Sequence, residues 1–361
     1  MSGDGQYVVF QASTTLPGPD SNGAAIELYH AGQLTDISAL APSGGTFEGD
    51  PSISDNGQYV VFEGDYPVTQ GGQTYTTGDI FLYDTQTQAL SQVQSNAYQP
   101  FISGNGQFIA MDAPVQGLQY ITEGVVVTNL AGNVLTTIGG DPDYSPGQGT
   151  DPYGNPGQVY DPAISSSGRF VSFWTTSSEL VINGTDFNTG NSAGTAQVYV
   201  YDRQNNTLQM ASVNDQGVEG NNDSGAVTLV NDRGSTRSEL SANGTYVVFE
   251  SSATNLVAGS GAGTPNSVSS VVNIGASNIY IYDTQTHTIQ LASAGLNGAA
   301  ANGTSYFPTI SADGTYVIFE STAGNLVAGG SGGEAQTYAY DIQTGAITLA
   351  SATVSGAPVW M

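Results

Sequence analysis

The chain has 361 residues, no Cys and no Lys, and its 31 acidic residues face only four Arg side chains, which gives a formal net charge of −27. The negative electrostatic field of such a chain repels phosphate backbones and anionic lipid, so nucleic-acid and membrane-surface binding are disfavoured. The lack of Cys excludes disulfides and thiol chemistry. Dense carboxylates favour divalent cations, although the same composition also fits an acidic surface that only confers solubility. No run of 18 apolar residues occurs, and we expect no membrane insertion.

The chain opens on a turn that recurs five more times. Each copy contains Ser, ends in Gly and precedes an aromatic strand. The six turns are residues 2–5, 54–57, 103–106, 165–168, 241–244 and 311–314, and the strands after them are residues 7–10, 59–62, 108–111, 170–173, 246–249 and 316–319. Asn-Gly and Asp-Gly suit tight hairpin turns because Gly takes a positive φ without steric cost.

Two further strands follow each hairpin. The third begins at residue 26, 80, 125, 198, 279 or 338, four of these strands end in Asp, and a fourth strand closes the unit, as at residues 208–211 and 289–292. No convincing helical periodicity appears. A four-stranded antiparallel unit repeated six times predicts an all-β fold, a six-bladed β-propeller in one domain. The expected blades are residues 357–361 with 2–40, then 50–95, 99–139, 160–213, 238–294 and 307–352.

The two chain ends are expected to share one blade. The turn glycines are 52, 49, 62, 76 and 70 residues apart, and the return from Gly314 through the C-terminus to Gly5 adds 52. Residues 358–361 align with residues 308–311, which form the first strand of a blade, whereas the other three strands of that blade lie at the N-terminus. We therefore predict that the C-terminal strand joins the N-terminal blade and closes the ring, which avoids two open sheet edges.

The sequence of the turn and of the strand after it resembles the TolB-type, WD40-like (PD40-like) propeller repeats, in which Pro-x-x-Ser-x-Asp-Gly precedes an aromatic strand. It is closest to a bacterial extracellular subset that carries Asn-Leu-Val after the second strand, as at residues 255–257 and 325–327. In that subset an Asp/Asn-rich run follows Asn-Leu-Val, but here the next residues are Ala258-Gly259-Ser260 and Ala328-Gly329-Gly330. The resemblance implies the propeller fold and a bacterial secreted or cell-surface location. Since the chain begins within a repeat, we expect it to be part of a larger protein.

Long connections are predicted on one face of the ring only. The first-to-second and third-to-fourth turns are short and share a face, whereas the inserts at residues 140–160, 176–195, 213–237, 252–277 and 294–305 belong to the opposite face. Extra loop length on one face of a repeat ring is typical of a binding surface, although loop growth without selection is the other reading.

The sequence offers two groups of candidate site residues on that face. The first carries Tyr beside carboxylates held by Asp-Pro pairs, a combination suited to a glycan, together with two Arg; it comprises Asp141, Asp143, Tyr144, Asp151, Tyr153, Arg233 and Arg237. The second has oxygen ligands for Ca²⁺, the cofactor that the sequence suggests; it comprises Asp186, Asn188, Asn191, Asn222 and Asp223. Ordinary loop composition and Asx turns are the competing readings.

Catalytic motifs are scarce. His30 and His287 are the two His residues, both expected on the short-loop face, and neither a His-rich metal site nor a Gly-x-Ser-x-Gly elbow can be assembled. We therefore expect a non-catalytic, adhesin-type binding module for a glycan or a protein, with possible help from Ca²⁺. Two alternatives stay open: a polysaccharide-cleaving enzyme that uses a carboxylate pair, and a structural assembly or spacer unit.

Overall fold

The protein is described here by a computed structural model. The described residues are 1–13, 24–47, 51–70, 72–115, 122–139, 159–191, 194–225, 238–258, 277–298, 301–330 and 332–351. The strands among them form six antiparallel sheets. Two short 3-10 turns lie at Ser38–Leu40 and Leu296–Gly298. In the described part of the chain no helix has the length and apolar character needed to traverse a bilayer.

The first three blades follow one another along the chain. Blade 1 contains β1 (Tyr7–Ser13), β2 (Ala24–His30) and β3 (Gln33–Asp36). Blade 2 contains β4 (Ser52–Ile53), β5 (Tyr59–Gln70), β6 (Gln73–Asp84) and β7 (Ala89–Ser95). Blade 3 contains β8 (Tyr98–Ile102), β9 (Phe108–Val115), β10 (Thr122–Asn129) and β11 (Val134–Gly139).

The last three blades complete the set. The fourth segment runs through β12 (Val159–Ile164), β13 (Phe170–Thr175), β14 (Glu179–Ile182), β15 (Thr185–Asn188), β16 (Gln197–Asp202) and β17 (Thr207–Met210). Blade 5 contains β18 (Glu239–Leu240), β19 (Tyr246–Ser251), β20 (Asn278–Asp283) and β21 (Thr288–Leu291). Blade 6 contains β22 (Ser305–Ile310), β23 (Tyr316–Ser321), β24 (Gln336–Asp341) and β25 (Ile347–Leu349). The six-bladed propeller predicted from the repeats is confirmed.

Blade 4 departs from a simple meander. Its sheet has the order β12-β13-β16-β17, while the hairpin β14–β15, which lies between β13 and β16 in sequence, pairs with the outer strand β11 of blade 3. The join is made by Ile138 opposite Ile182 and Gly139 opposite Val181. The insert at residues 176–195 therefore contains a hairpin that extends the neighbouring sheet to six strands.

The core lies between neighbouring blades, because each blade buries both faces against the next. One apolar cluster, for example, joins Val248 and Ile281 of blade 5 to Phe319 and Tyr338 of blade 6, all buried. The central strands are therefore rich in β-branched and aromatic residues on both faces, which is why the sequence showed continuous apolar strands.

The turn glycines adopt the conformation that the sequence predicts, with φ between 68° and 75° at all six positions. In addition, the aromatic residue that opens the second strand of one blade covers the turn Gly of the next blade. A Cβ at Gly57 would overlap the Tyr7 ring, and a Cβ at Gly168 would overlap the Phe108 ring. Tyr59, Phe170 and Tyr246 cover the turns of blades 3, 5 and 6 in the same way.

Backbone hydrogen bonds link the same turns around the axis. Gly3 N–H donates to the Asp55 carbonyl, and Asp55 N–H donates to the Gly104 carbonyl. The series continues through Asn105 to Ser166, Ser166 to Ala242 and Ala242 to Ala312. Five successive blade junctions are thus connected through the backbone.

The sixth junction, between blades 6 and 1, is the one that the C-terminal segment was predicted to close. Residues 352–361 lie outside the described part, so the predicted closing strand stays a prediction. Among the described residues, a Cβ added at Gly5 would meet only the Met1 sulfur, at 3.8 Å, and Tyr316, the residue equivalent to the covering aromatics, is 46% exposed.

Candidate ligand-binding face

The face with the short turns uses its polar side chains to hold its own backbone. In blade 2 the Ser54 hydroxyl donates to Asn56 Oδ1 at 2.7 Å and accepts the Tyr59 N–H at 3.0 Å. The Gln58 N–H donates to the same Asn56 oxygen at 3.0 Å. Equivalent bonds occur in blades 1, 3, 5 and 6, with Asp4 and Asp313 in the Asn role. The carboxylates of Asp4 and Asp313 therefore hold their own turns.

The Asp residues that end third strands have the same kind of role. Asp84 Oδ1 accepts the N–H groups of Gln86 and Thr87, at 2.8 and 3.1 Å. Asp283 and Asp341 cap their turns in the same manner. These repeated acidic positions therefore shape the turns between the third and fourth strands.

Two of the four Arg side chains are engaged on this face. Arg169 forms a bidentate pair with Asp202, with Nε–Oδ1 and Nη2–Oδ2 distances of 2.9 and 2.6 Å. Burial opposes ionisation of Asp202, but the Arg169 guanidinium and two backbone N–H groups keep its pKa below the ordinary value. Arg203 lies over the Phe108 ring and donates to the Gly168 carbonyl. Arg203 therefore joins blades 3 and 4, whereas Arg169 pairs with Asp202 within blade 4.

The two His residues lie in separate blades. His30 ends β2 and stacks on Tyr7 with the ring centroids 3.8 Å apart. His287 sits in the β20–β21 turn, where its Nδ1 lies 2.9 Å from the Tyr282 hydroxyl. Among the described residues no three His, Asp or Glu side chains converge as metal ligands.

The opposite face carries a feature that the sequence analysis missed. Strands β5 and β6 pair over twelve residues, from Tyr59 opposite Asp84 to Gln70 opposite Gln73. Their distal part, residues 66–77, is called the arm below. Val68 and Tyr75 on the arm are 36% and 43% exposed. The only advance signal was the Gly71-Gly72 pair between two Thr- and Tyr-containing runs.

The Asn-Leu-Val segments have a structural explanation. Asn221 N–H donates to Asn255 Oδ1, and Thr254 N–H donates back to Asn221 Oδ1, each at 2.9 Å. Asn302 and Asn325 make the equivalent exchange in blade 6. Leu256 and Leu326 are each 2% exposed. The Asn of this motif therefore ties two loops together while the Leu anchors them in the core.

Blade 4 has its own version of this segment, Glu179-Leu180-Val181, which opens the β14–β15 hairpin. Leu180 is buried like its counterparts, and the Asp/Asn-rich run at residues 183–191 follows directly. The run that is missing after Asn255-Leu256-Val257 is thus present one blade earlier. The substitution of Glu for Asn concealed this equivalence in the sequence.

The structure places the residues predicted as metal ligands in two neighbouring segments. Asp186 and Asn188 lie on β15, and Asn188 Oδ1 accepts the Gly190 N–H. Asn191 Oδ1 accepts the Gly194 N–H at 3.2 Å, and Asp223 Oδ1 accepts the Ala196 N–H at 2.9 Å. The exposed Asn222 precedes Asp223. Asn191 and Asp223 therefore hold the same stretch, residues 194–196, and the Asn191 bond is of the local Asx type that was the competing reading.

The residues predicted to bind a glycan lie outside the described residues. Asp141, Asp143, Tyr144, Asp151 and Tyr153 belong to residues 140–158, and Arg233 and Arg237 belong to residues 226–237. Their flanking strands are described. Gly139 ends β11, Val159 begins β12, and Glu239 begins β18, so both segments connect successive blades.

A cavity of about 610 Å³ lies on the axis, between first strands of different blades. Most of its lining is apolar or small, including Ile53, Phe101 and Pro308. Two carboxylates reach it. Asp55 accepts the Ser166 hydroxyl at 2.6 Å, and Glu239 accepts the Thr309 hydroxyl at 2.7 Å. Both carboxylates thus bond to the cavity wall.

Three buried carboxylates, those of Glu63, Asp112 and Glu250, each accept a hydrogen bond from the backbone of the next blade. Glu63 accepts the Gln99 N–H of the next blade at 2.8 Å, and Asp112 accepts the Asp161 N–H at 3.2 Å. Gln99 and Asp161 have positive φ and precede a Pro, where the first strand bulges. Each carboxylate therefore satisfies a backbone donor that the bulge removes from the sheet.

Glu250 plays the same part between blades 5 and 6. Burial raises the pKa of Glu250 to about 8, against the opposing effect of hydrogen bonds from Ser277 and the Phe307 N–H. Phe307 is likewise a positive-φ residue before a Pro. The raised pKa therefore has a structural cause, with no catalytic partner required.

No family model matches the chain, and no curated protein does. Several solved structures are similar. A putative TolB from Agrobacterium tumefaciens is 12% identical over 88% of this chain and 83% of that chain, with a TM-score of 0.43. An oligogalacturonate lyase in complex with manganese is 9% identical over 94% and 86%, with a TM-score of 0.44. The β-propeller domain of the Trilobed protease from Pyrococcus furiosus is 11% identical over 85% of each chain, with a TM-score of 0.38. At these values the likenesses carry no argument about activity.

Proposed function

We propose that the chain is a non-catalytic binding module that recognises a glycan or a protein through its long-loop face. The observation that carries the proposal is the difference between the two faces. Short turns on one face use their Ser, Asn and Asp side chains to bond their own backbone, as at Ser54 and Asp84. The arm and the blade-to-blade connections all emerge on the other face, where loop length is available for recognition.

A glycan is the ligand class that the predicted residues fit best. Tyr rings pack on the apolar faces of sugars, and carboxylates accept hydroxyl hydrogen bonds, a pairing that Tyr144, Tyr153 and their Asp neighbours provide in sequence. With a net charge of −27, the module is expected to prefer neutral ligands unless Arg233 and Arg237 contact an anionic group.

The binding test compares two triple variants on a glycan array. Asp141→Ala, Asp143→Ala and Tyr153→Ala together should abolish binding, because they remove carboxylates and a ring from the proposed surface. Gln86→Ala, Thr87→Ala and Gln343→Ala, exposed turn residues of the opposite face, should leave binding intact. Binding that survives the first triple variant, or that only the second removes, would contradict the proposal.

Calcium is proposed as an accessory ligand of the 183–191 run. Asp186 is an exposed carboxylate on β15, close in sequence to the oxygen groups of Asn188 and Asn191. We expect Ca²⁺ to raise the melting temperature of the wild-type protein and to have no such effect on Asp186→Ala. Equal shifts of the melting temperature in both proteins would show that Asp186 is not a calcium ligand.

The polysaccharide-cleaving alternative has a separate test. The two carboxylates of the axial cavity, Asp55 and Glu239, are the natural pair to change. A release of reducing ends or unsaturated sugars that disappears in both Asp55→Asn and Glu239→Gln would replace the binding proposal with an enzymatic one.

The proposed location, on a bacterial surface or outside the cell, agrees with the acidic, Lys-free composition.

A further inference from the structure

The arm extends beyond the strands that flank it. In blade 2, β4 pairs with β5 only at Val60 and Val61, and β7 pairs with β6 only over residues 79–84. Within the described part of the chain, residues 66–70 and 72–77 therefore form a two-stranded ribbon with no further strand paired to either outer edge. At about 3.4 Å per residue, the ribbon projects about 20 Å from the blade.

The direction of the backbone groups on the β6 edge follows from one hydrogen bond. Ala97, which follows β7, donates its N–H to the Gly78 carbonyl at 2.9 Å, so the polar groups of Gly78 point away from β5. Since these groups alternate along a strand, those of Thr76 and Thr74 also point outward. Those of Thr77 and Tyr75 point toward β5.

The two outer edges of the arm differ chemically. Pro67 lies opposite Thr76, so its ring nitrogen faces the outer edge of β5 and offers no donor there. The outer edge of β6 has no such block between Gln73 and Thr77. It presents the N–H and carbonyl groups of Thr74 and Thr76, the arrangement to which an added strand hydrogen-bonds.

Charge and sequence select the occupant of this edge. Residues 66–78 carry no charged side chain, although the chain as a whole carries −27. Two copies of the body repel each other, whereas two projecting arms can meet without bringing carboxylates together. The segment is also self-complementary about Tyr75, because Thr occupies both neighbouring positions.

We propose that the outer edge of β6 pairs antiparallel with the same edge of a second copy of this chain. The two-fold axis passes between Tyr75 and Tyr75 of the second copy, and each Thr74 pairs with Thr76 of the other copy through two backbone hydrogen bonds. Thr–Thr and aromatic cross-strand pairs are favourable, and the product is a four-stranded sheet of two arms. This goes beyond ligand binding by the loops and does not depend on it.

The contact is small compared with the 1,200–2,000 Å² or so of a standard interface, so the dimer is weak and depends on concentration. High salt strengthens it, because the Debye length falls from about 10 Å at 0.1 M to about 3 Å at 1 M and screens the acidic bodies from each other.

Sedimentation equilibrium of the full chain tests the proposal. The monomer mass is 37.1 kDa, and the wild-type average mass should rise toward twice that value with concentration, more steeply at 1 M salt than at 0.1 M. Thr76→Pro removes an outward N–H without touching the bonds between β5 and β6, and it should weaken dimerisation at least about tenfold.

A second pair of variants separates edge pairing from general charge effects. Tyr75→Asp places like charges on the two-fold axis and should also prevent dimerisation. Val68→Asp adds the same charge opposite Tyr75 on β5, one strand further from the axis, and should weaken the dimer less. Melting temperatures confirm that each variant folds.

Three results would overturn the proposal. The first is a wild-type protein that stays monomeric at every concentration and salt, even if it binds an added extended peptide. The second is a Thr76→Pro variant that dimerises as strongly as the wild type. The third is equal weakening by Tyr75→Asp and Val68→Asp. Glycan binding by the monomeric Thr76→Pro variant reports separately on the proposed function.

Discussion

At the scale of single residues, the contact between a turn Gly and the aromatic residue of the preceding blade gives a direct stability prediction. Gly168 and Gly5 have φ of 75° and 69°, but within the described residues only Gly168 lies beneath an aromatic ring, that of Phe108. Gly168→Ala should cost about 2–5 kcal/mol, from backbone strain plus overpacking, and Gly5→Ala about 1–2 kcal/mol, from strain alone. Urea unfolding of both variants measures the difference, and equal losses would show that the ring contact is unimportant.

The buried carboxyl of Glu250 predicts a pH dependence of stability. Its pKa is raised by burial from an ordinary 4.5 to about 8 in the folded protein. Its contribution is therefore fully present below about pH 4.5 and is lost as the pH rises to about 8, because the unfolded state releases the proton first. Glu250→Gln keeps an acceptor for the Phe307 N–H but has no proton to lose.

We expect Glu250→Gln to gain stability relative to the wild type as the pH rises from 5 to 8, by at least about 1 kcal/mol. Denaturant unfolding at several pH values measures this gain. Parallel stability curves for the two proteins over that range would show that the carboxyl does not titrate within it.

At the scale of elements, the β14–β15 hairpin is held on blade 3 by apolar contacts. Leu180 and Ile182 are fully buried in a cluster that contains Ile138 of β11. Leu180→Ala with Ile182→Ala should release the hairpin, since each truncation removes about 2–5 kcal/mol of packing. Hydrogen exchange should accelerate at residues 183–188 and at Gly139, while β9 remains protected.

The exposed Glu179 supplies the control for this prediction. Glu179→Ala changes the same hairpin without altering its buried side, so exchange at Gly139 should match that of the wild type. Faster exchange throughout β8–β11 in the double variant would indicate that the hairpin is part of the blade 3 core and not an attachment to it.

Local chemistry explains which elements the sequence could predict. Each Ser-x-Asn-Gly or Ser-x-Asp-Gly turn is specified by its own residues, and the aromatic and β-branched strands follow at fixed offsets, as Gly57 and the strand from Tyr59 illustrate. The arm was missed because Thr, Tyr and Gln alternate there without an apolar face. The role of Glu250 was missed because it depends on a bulge 57 residues away in the next blade.

The candidate site was less predictable than the fold for a related reason. Asn191 and Asp223 were singled out as metal ligands by residue type alone, and their partners, Gly194 and Ala196, lie on one segment only after folding. Asx bonds and calcium coordination use the same oxygen atoms, so composition could not distinguish them.

At the scale of the whole molecule, the predicted closure of the ring by the C-terminal segment can be tested by truncation. If residues 357–361 supply the first strand of blade 1, their removal leaves a three-stranded blade and two open edges at the last junction. We expect the truncated protein to melt at least about 3 °C lower, because a loss of about 2 kcal/mol shifts the midpoint of a 361-residue chain by about that much. Differential scanning calorimetry measures the shift, and an unchanged melting temperature would refute the closure.

The ring-on-Gly contact has a consequence for how such a chain changes its number of blades. Each of blades 1 to 5 supplies an aromatic ring to its successor, and each of blades 2 to 6 has a turn Gly beneath the ring of its predecessor, as Phe170 covers Gly244 and Tyr246 covers Gly314. Duplicating or deleting a segment that runs from one turn to the equivalent point in the next leaves each donor with a matching acceptor. Gain or loss of an entire repeat in the gene therefore preserves each contact between an aromatic ring and the turn Gly of the next blade. A duplication or deletion that ends inside a repeat disrupts two of these contacts.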